Sequence, residues 1–262
     1  MLRQWYVGVL CVWLVLACIA PWCMESGNRI TLENAFAPPT AGAWLGTDDL
    51  GRSILLRTVA GAAVSAPLAA GVVLVSLCVG TLLGALGAWR GGLLDACLQR
   101  IIELFQAFPG LLLAIALAGI LGPGTGNVAL ALCLVGWVGF ARLARAQVAS
   151  LRSREHVLVA RALGTPDRRI LSNHILPLLV APLLVEATFA FAATLAAEAG
   201  MSFLGLGAQP PTAAWGSMLR EATQFLLVAP HMLLGPGLAI LSLVMAMQSA
   251  GERLRLHWQL PR

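Results

Sequence analysis

Two carboxylates lie inside an apolar stretch of this sequence and are the first candidates for a chemical role. Glu186 and Glu198 are the charged residues within positions 178–200. An ionised carboxylate in the hydrocarbon core of a membrane is costly, and by default it indicates a solute pathway or a polar partner. For Glu198, which lies close to Gly200, a structural hydrogen bond is the alternative. Glu186 could equally be neutral, interfacial or paired with an Arg of another subunit. Both are candidate pathway residues.

Familiar catalytic and metal-binding patterns are missing from the sequence. All seventeen Lys or Arg residues are Arg, whereas a phosphate-binding loop of the Walker type needs a Lys. Any ATP hydrolysis would therefore take place in another polypeptide. The His residues have no H-E-x-x-H spacing and the Cys residues no C-x-x-C spacing. We expect no catalytic residue, no metal site and no resident cofactor. The residues concerned are His156, His174, His231 and His257, and Cys11, Cys18, Cys23, Cys78, Cys97 and Cys133.

The composition is that of a membrane protein. Of 262 residues, 59% are hydrophobic and only 11% are charged, and the mean hydropathy is +0.84. A soluble domain of this size could not cover itself with a polar surface. The net charge is +5, but basic patches with interleaved aromatic residues are missing, and Arg-rich cytoplasmic loops explain the same excess. We predict an all-α membrane protein that contacts the lipid bilayer and binds no nucleic acid.

Six transmembrane helices are predicted from the uncharged stretches. A hydrocarbon core of about 30 Å needs about 20 apolar residues to cross it. The uncharged stretch 104–141 has 38 residues, too many for one span, and its glycine-rich segment 122–126 predicts a tight helical hairpin. The N-terminal apolar run is long enough to be an uncleaved span rather than a signal peptide. The spans are predicted at about 5–23, from about 66 to 89, two within 104–141, 178–200 and 230–250.

The distribution of Arg predicts the orientation. Thirteen Arg residues fall on the side of the two termini and four on the other side. Since Arg accumulates in cytoplasmic loops, both termini and the loop 142–177 are predicted to be cytoplasmic. We divide the chain into an N-terminal helix with its outward segment, 1–60, and a core of five spans, 61–262. The thirteen are Arg3, Arg90, Arg100, Arg142, Arg145, Arg152, Arg154, Arg161, Arg168, Arg169, Arg253, Arg255 and Arg262; the four are Arg29, Arg52, Arg57 and Arg220.

The loop 142–177 contains a predicted helical corner. Gly164 is a natural helix stop because it tolerates positive φ, and Pro166 with Asp167 suits a first helical turn. The side chain of Thr165 could accept hydrogen bonds from that turn. One helix should therefore occupy about 154–163 and end at Ala162 or Leu163. This helix is more apolar than a free loop requires, so it either packs on the protein's own helix ends or the membrane interface, or docks in a partner's groove.

The segment 159–177, VARALGTPDRRILSNHILP, resembles the loop of binding-protein-dependent ABC importer permeases, which reads E-A-A, three residues, G, nine residues, I-x-L-P. Ala160, Gly164, Leu176 and Pro177 match at that spacing. Leu158 and Val159 stand where that loop has Glu and its first Ala, and His174 stands at the Ile position.

Four further segments are similar to the C-type permeases of the peptide and nickel importer subfamily, and the likeness extends over about 44–251. The resemblance implies a type I ABC importer permease architecture in a bacterial inner membrane. The segments are LGTDDLGRS (45–53), AFPGLLLAIAL (107–117), GWVGFARLARAQVASLR (136–152) and AEAGMSFLGLGAQPPTAAWGSML (197–219).

The resemblance also implies partners. It implies a second permease subunit in a heterodimer, two ATP-binding subunits that bind and hydrolyse ATP, and an extracytoplasmic substrate-binding protein. The short helix at the corner would sit in a groove of an ATP-binding subunit and transmit its movement. Dipeptides, longer peptides, nickel and metal chelates all remain open as cargo. The implied coupling residues are Val157, Leu158, Ala160, Arg161, Gly164, Thr165, Asp167 and Arg168.

Other functions and contacts stay open at this point. A membrane-embedded enzyme would need a catalytic cluster at bilayer depth, which the predicted spans do not offer. An ion channel or ATP-independent carrier would not need the apolar corner helix. The pairs among Asp95, Arg100 and Glu103 could be weak ion pairs or contacts to the ATPase. Contacts to the binding protein or simple solvation could explain the outward charged and aromatic residues, Asp48, Asp49, Arg52, Trp215, Arg220 and Glu221.

Overall fold

The structure is a computed structural model that describes residues 5–258, and over this range the chain is built of helices with two isolated β-bridges. The predicted all-α fold is confirmed. Arg3 and Arg262, two of the Arg residues behind the predicted orientation, lie outside the described residues. The α-helices are α1 (Trp5–Gly27), α2 (Ile54–Arg90), α3 (Gly92–Gln106), α4 (Gly110–Leu121), α5 (Thr125–Leu151), α6 (Glu155–Ala162), α7 (Asp167–Ile170), α8 (Leu176–Phe203), α9 (Trp215–Gln224) and α10 (Leu234–His257).

Five helical segments within residues 5–258 are long and apolar enough to cross a membrane, and a sixth crossing exists only if α3 and α4 are counted together. A π-helical stretch, Leu171–Ile175, joins α7 to α8, so that the helix is continuous over 37 residues. The five segments are Trp5–Gly27, Ile54–Arg90, Thr125–Leu151, Asp167–Phe203 and Pro230–His257.

The predicted third span is the one that differs most from the structure. The hairpin turn is where the glycines predicted it, with positive φ at Gly122 and Gly124. However, α4 has only 12 residues, and its axis is bent by 85° from that of α3. The break lies at Ala107–Pro109 because Pro109 has no N–H to continue the helix and disfavours helical geometry at Phe108.

The second span also begins earlier than predicted. α2 starts at Ile54 rather than near Ala66, and the Ser53 hydroxyl caps it by accepting from the Leu56 N–H at 3.4 Å. At 37 residues, the helix is about 55 Å long, far more than the hydrocarbon core requires. Its first turns pack against α9, where Thr58 accepts a hydrogen bond from Trp215.

Glycines set the distance between the two helices at the centre of the fold. Gly80 and Gly84 lie one turn apart on α2, against the backbone of α5. A Cβ at Gly80 would overlap the carbonyl oxygen of Trp137, and a Cβ at Gly84 would overlap that of Ala141. This close approach is the usual result of two small residues four positions apart in membrane helices.

Trp215 anchors the N-terminal end of α2 to other helices. Its side chain is fully buried, and its indole N–H donates to the Thr58 carbonyl at 2.8 Å. Trp13 of α1 packs edge-on against it with ring centroids 5.0 Å apart, and donates to the Ser242 hydroxyl of α10 at 2.9 Å. The two indoles thus join α1, α2, α9 and α10.

Candidate functional site

The predicted corner is present and closes with a well-defined backbone motif. We call residues 154–170 the α6 corner. Gly164 has φ of 77°, its N–H donates to the Arg161 carbonyl at 3.0 Å, and the Thr165 N–H donates to the Ala160 carbonyl at 3.1 Å. This pair of bonds is the Schellman arrangement, in which a positive φ just past the helix end satisfies its last carbonyls. The predicted helix end at Ala162 is confirmed.

The role predicted for the Thr165 side chain is wrong. Pro166 occupies the N-cap position of α7, and no side chain caps that helix. Thr165 contributes its backbone N–H to the end of α6 instead. The reason is that Pro166, not Thr165, holds the N-cap position of α7, and it is the N-cap side chain that accepts from the first free amides of a helix.

The short helix α6 has two faces with different surroundings. Val157 is fully buried and Ala160 is buried, both within a core cluster that includes Val148 of α5 and Ile170 of α7. One face of α6 therefore packs on the core of this chain and helps to hold the corner in place. The other face has no cover within residues 5–258: Leu158 and Val159 are about half exposed, and Leu163 is 80% exposed.

The charged residues of the α6 corner lie around this uncovered face. The Arg161 guanidinium lies 4.9 Å from the centroid of the Trp89 ring, a cation–π contact, and 3.8 Å from the Asp167 carboxylate. Both members of that ion pair are at least half exposed, so it contributes little to stability. Arg168 is exposed. The corner therefore presents apolar side chains in a basic surround.

Ion pairs and hydrogen bonds hold the helices beneath the corner. Arg145 of α5 binds Asp95 of α3 through two parallel hydrogen bonds of 2.7 and 2.8 Å. Arg152, at the end of α5, donates to the Ala88 carbonyl of α2 at 2.8 Å. The two-pronged Arg–carboxylate geometry is among the stronger polar contacts in proteins. These contacts join α2, α3 and α5 next to the corner.

The two candidate pathway carboxylates are not brought together. Glu198 is fully buried; the Ser202 hydroxyl donates to its Oε1 at 2.7 Å, and its Oε2 has no partner within residues 5–258. Glu186 is half-buried and faces Gly139 of α5. Twelve residues apart on one helix, they are separated by about 18 Å. Glu198 therefore lines no exposed surface of this chain.

A buried charge network near the start of α2 was missed by the sequence analysis, which treated its members as separate surface residues. Arg57, 2% exposed, is the hub: it lies 3.2 Å from Asp48 and 3.2 Å from Glu221. Arg52 also contacts Asp48, at 2.7 Å, and Glu221, at 3.4 Å. The sequence did hint at this position, because Arg57 lies one turn after Ser53, the N-cap residue of α2.

This network is a set of ion pairs rather than a metal site. Carboxylate oxygens of Asp48, Asp49 and Glu221 lie within 4.8 Å of one another, a spacing that a cation could bridge. Two guanidinium groups already occupy the space between them and supply the positive charge. Burial raises the pKa of the Glu221 carboxyl, and the neighbouring Arg57 and Arg52 act in the opposite direction. We assign no metal to this cluster.

Comparison with known proteins gives a consistent picture. Residues 79–254 match the family described as binding-protein-dependent transport system inner membrane component. The chain is 38% identical over 252 residues to the dipeptide transport system permease protein DppC of Alkalihalophilus pseudofirmus, covering 95% of this chain and 83% of that protein. It is 39% identical over 249 residues to the glutathione transport system permease protein GsiD of Pectobacterium atrosepticum, covering 92% and 82%. It is 37% identical over 236 residues to the nickel transport system permease protein NikC of Escherichia coli, covering 90% and 85%.

Proposed function

Since this chain belongs to the family of binding-protein-dependent transport system inner membrane components, we propose that the α6 corner is where a separate ATPase drives it. The chain is a multi-pass membrane permease subunit of an ABC importer. It has the curated permeases for dipeptide, glutathione and nickel as relatives. The observation that carries the proposal is the uncovered apolar face of α6, in which Leu163 is 80% exposed.

The two faces of α6 divide the proposed coupling residues into two groups. Val157 and Ala160 fix the helix to the core of this chain, because both are buried. Leu158 and Leu163 are the proposed docking side chains, with Arg161, Asp167 and Arg168 as charges at the rim. A helix laid into a partner's groove through its apolar face is a recurring mode of recognition. Gly164 and Thr165 set the angle between the docked helix and α7.

The remaining partners and the orientation follow from the same proposal. Both termini and the α6 corner lie in the cytoplasm, as the Arg distribution favours. Two ATP-binding subunits, a second permease subunit in a heterodimer and an extracytoplasmic substrate-binding protein complete the importer. The outward network around Arg57 then lies on the side of the binding protein. A peptide, a nickel ion or a metal chelate is the proposed cargo, from what the relatives are named for.

Replacing the most exposed apolar residue of the corner should separate the ATPase from the permease. We expect Leu163→Asp to lower the affinity for the ATP-binding subunits by about 10-fold or more, because a buried Leu contributes about 1.5–3 kcal/mol and the new carboxylate must be desolvated. The measurement is copurification of the ATPase with the permease complex from membranes, together with uptake.

The matched control is the same substitution at a Leu that is at least as exposed and lies outside the α6 corner. Leu227, between α9 and α10, is 99% exposed, and Leu227→Asp should leave ATPase copurification unchanged. Equal loss in both variants would indicate a general assembly defect. Full retention of the ATPase by Leu163→Asp would refute the docking role. Transport by the permease without any ATPase would instead identify the chain as an ATP-independent carrier.

The geometry of the corner can be tested separately at Gly164. A Cβ there would meet nothing within 4 Å, yet φ is 77°, which a β-branched residue adopts only with strain of about 1–3 kcal/mol. Gly164→Val should leave membrane insertion intact but uncouple ATP hydrolysis from uptake in proteoliposomes. Gly164→Asn is the control, since Asn tolerates this conformation. Normal uptake by Gly164→Val would contradict the proposal.

A further inference from the structure

The break between α3 and α4 leaves unusual backbone at a defined depth. At 12 residues, α4 is about 18 Å long, too short to cross a hydrocarbon core of about 30 Å by itself. The span is completed by α3, whose axis is bent by 85° from that of α4. We call the segment at the bend, residues 106–112, the elbow.

Contacts with the continuous helix α5 fix the depth of the elbow. At the inner end, Asp95 of α3 binds Arg145. At the elbow, a Cβ on Gly110 would lie 3.3 Å from Val135. On α5, Val135 is about midway between the polar residues Asn127 and Arg142, about 12 Å from the first. The elbow therefore lies near the middle of the membrane.

The backbone of the elbow has unpaired polar groups. In the described part of the chain, the amide groups of Gly110, Leu111 and Leu112 have no acceptor, and no side chain caps α4. The Phe105 carbonyl, one turn before Pro109, lacks its helical donor because proline has no N–H. Every residue from 106 to 112 is exposed and Phe105 is half-buried, so the segment that carries the three amide groups lies at the surface of this chain.

Backbone polar groups without hydrogen-bond partners strongly disfavour contact with lipid at this depth. Non-helical backbone in the middle of a membrane is tolerated only where protein covers it or where it lines a water-filled cavity. Three adjacent amide groups and a carbonyl would need matching partners from a protein neighbour, whereas water satisfies any arrangement. An importer for hydrophilic cargo also requires a polar surface at mid-membrane.

From these observations we infer that the elbow lines the aqueous translocation pathway. This rests on the proposed function of the chain as a permease. The elbow is then the part of the chain that the cargo passes, with Gln106 as its polar side chain and Phe108 and Leu111 as apolar neighbours. Glu198, sealed inside the chain, is not part of that wall.

The experiment is a spin-label accessibility measurement on the assembled importer in proteoliposomes. In a background with the native Cys residues replaced by Ala, single Cys residues are introduced as Gln106→Cys, Phe108→Cys and Leu111→Cys and labelled with a nitroxide. Leu14→Cys is the matched control, since Leu14 lies midway along α1 on its exposed side. Relaxation by a water-soluble nickel chelate is compared with relaxation by oxygen, which concentrates in lipid, with and without ATP.

At the elbow we expect the nickel chelate to be the stronger relaxing agent in at least one nucleotide state, and at Leu14 we expect oxygen to be stronger throughout. Oxygen dominance at all three elbow positions would place the elbow against lipid and overturn the inference. Exclusion of both agents in every nucleotide state would show that a protein neighbour covers it, which also overturns the inference. Uptake and ATPase copurification in the same sample test the proposed function, so failure of the elbow alone can be recognised.

Discussion

Gly84→Ala should destabilise the protein markedly, although it adds a single methyl group. The new Cβ would overlap the backbone carbonyl oxygen of Ala141, so α2 and α5 would have to move apart. Overpacking of this kind typically costs about 1–3 kcal/mol, and here the obstacle is backbone, which cannot rotate away. We expect a lower thermal midpoint for the purified complex and less of the chain in the membrane.

The matched control lies on the same helix. Gly71, also in α2, has nothing within 4 Å of a Cβ position. Gly71→Ala should therefore be neutral or stabilising by up to about 1 kcal/mol, the ordinary gain in helix propensity. Gly84→Ala should thus lower the thermal midpoint, whereas Gly71→Ala should not. Equal thermal midpoints for Gly84→Ala and Gly71→Ala would show that the glycines do not set the distance between α2 and α5.

Arg57→Ala should be at least as damaging, for an electrostatic reason. The variant would leave Asp48, 3% exposed, and Glu221 without the guanidinium that lies 3.2 Å from each. Removing one member of a buried ion pair costs about 3–5 kcal/mol, and Arg52 alone would then face three carboxylates. The measurement is again the thermal midpoint of the assembled complex. Arg29→Ala is the control, since Arg29 is exposed, and it should change stability by no more than about 0.5 kcal/mol.

Two further observations test the cause of that loss. Adding Asp48→Asn and Glu221→Gln to Arg57→Ala should recover part of the stability, because the stranded charges are gone. Lower pH should act in the same direction. Burial raises the pKa of Glu221 and Arg57 lowers it, so in the variant the folded state binds a proton more readily than the unfolded state, and its stability rises as pH falls. No recovery by either route would mean that Arg57 acts through packing.

Local signals in the sequence were sufficient to predict the class of fold and the corner. An apolar run long enough to span a membrane is a property of the run itself, and Gly164 with Pro166 ends one helix and begins the next by backbone preferences alone. The loop containing Gly164 and the four segments around it were also sufficient to recognise the permease family. These features depend on neighbours in the chain, so the sequence by itself determined them.

The tertiary structure decided everything that depends on which distant residues meet. Arg57 and Glu221 are separated by 164 positions, and only the packing of α9 against α2 makes Arg57 a buried hub. The apolar residues of α6 look alike in sequence, but packing on α5 and α7 buries Val157 and leaves Leu163 uncovered. Pro109 was visible in the sequence, yet the 85° bend and its depth beside Val135 follow from contacts with α5. Burial and charge pairing are properties of the assembled neighbourhood, whereas helix ends are set within a few residues of chain.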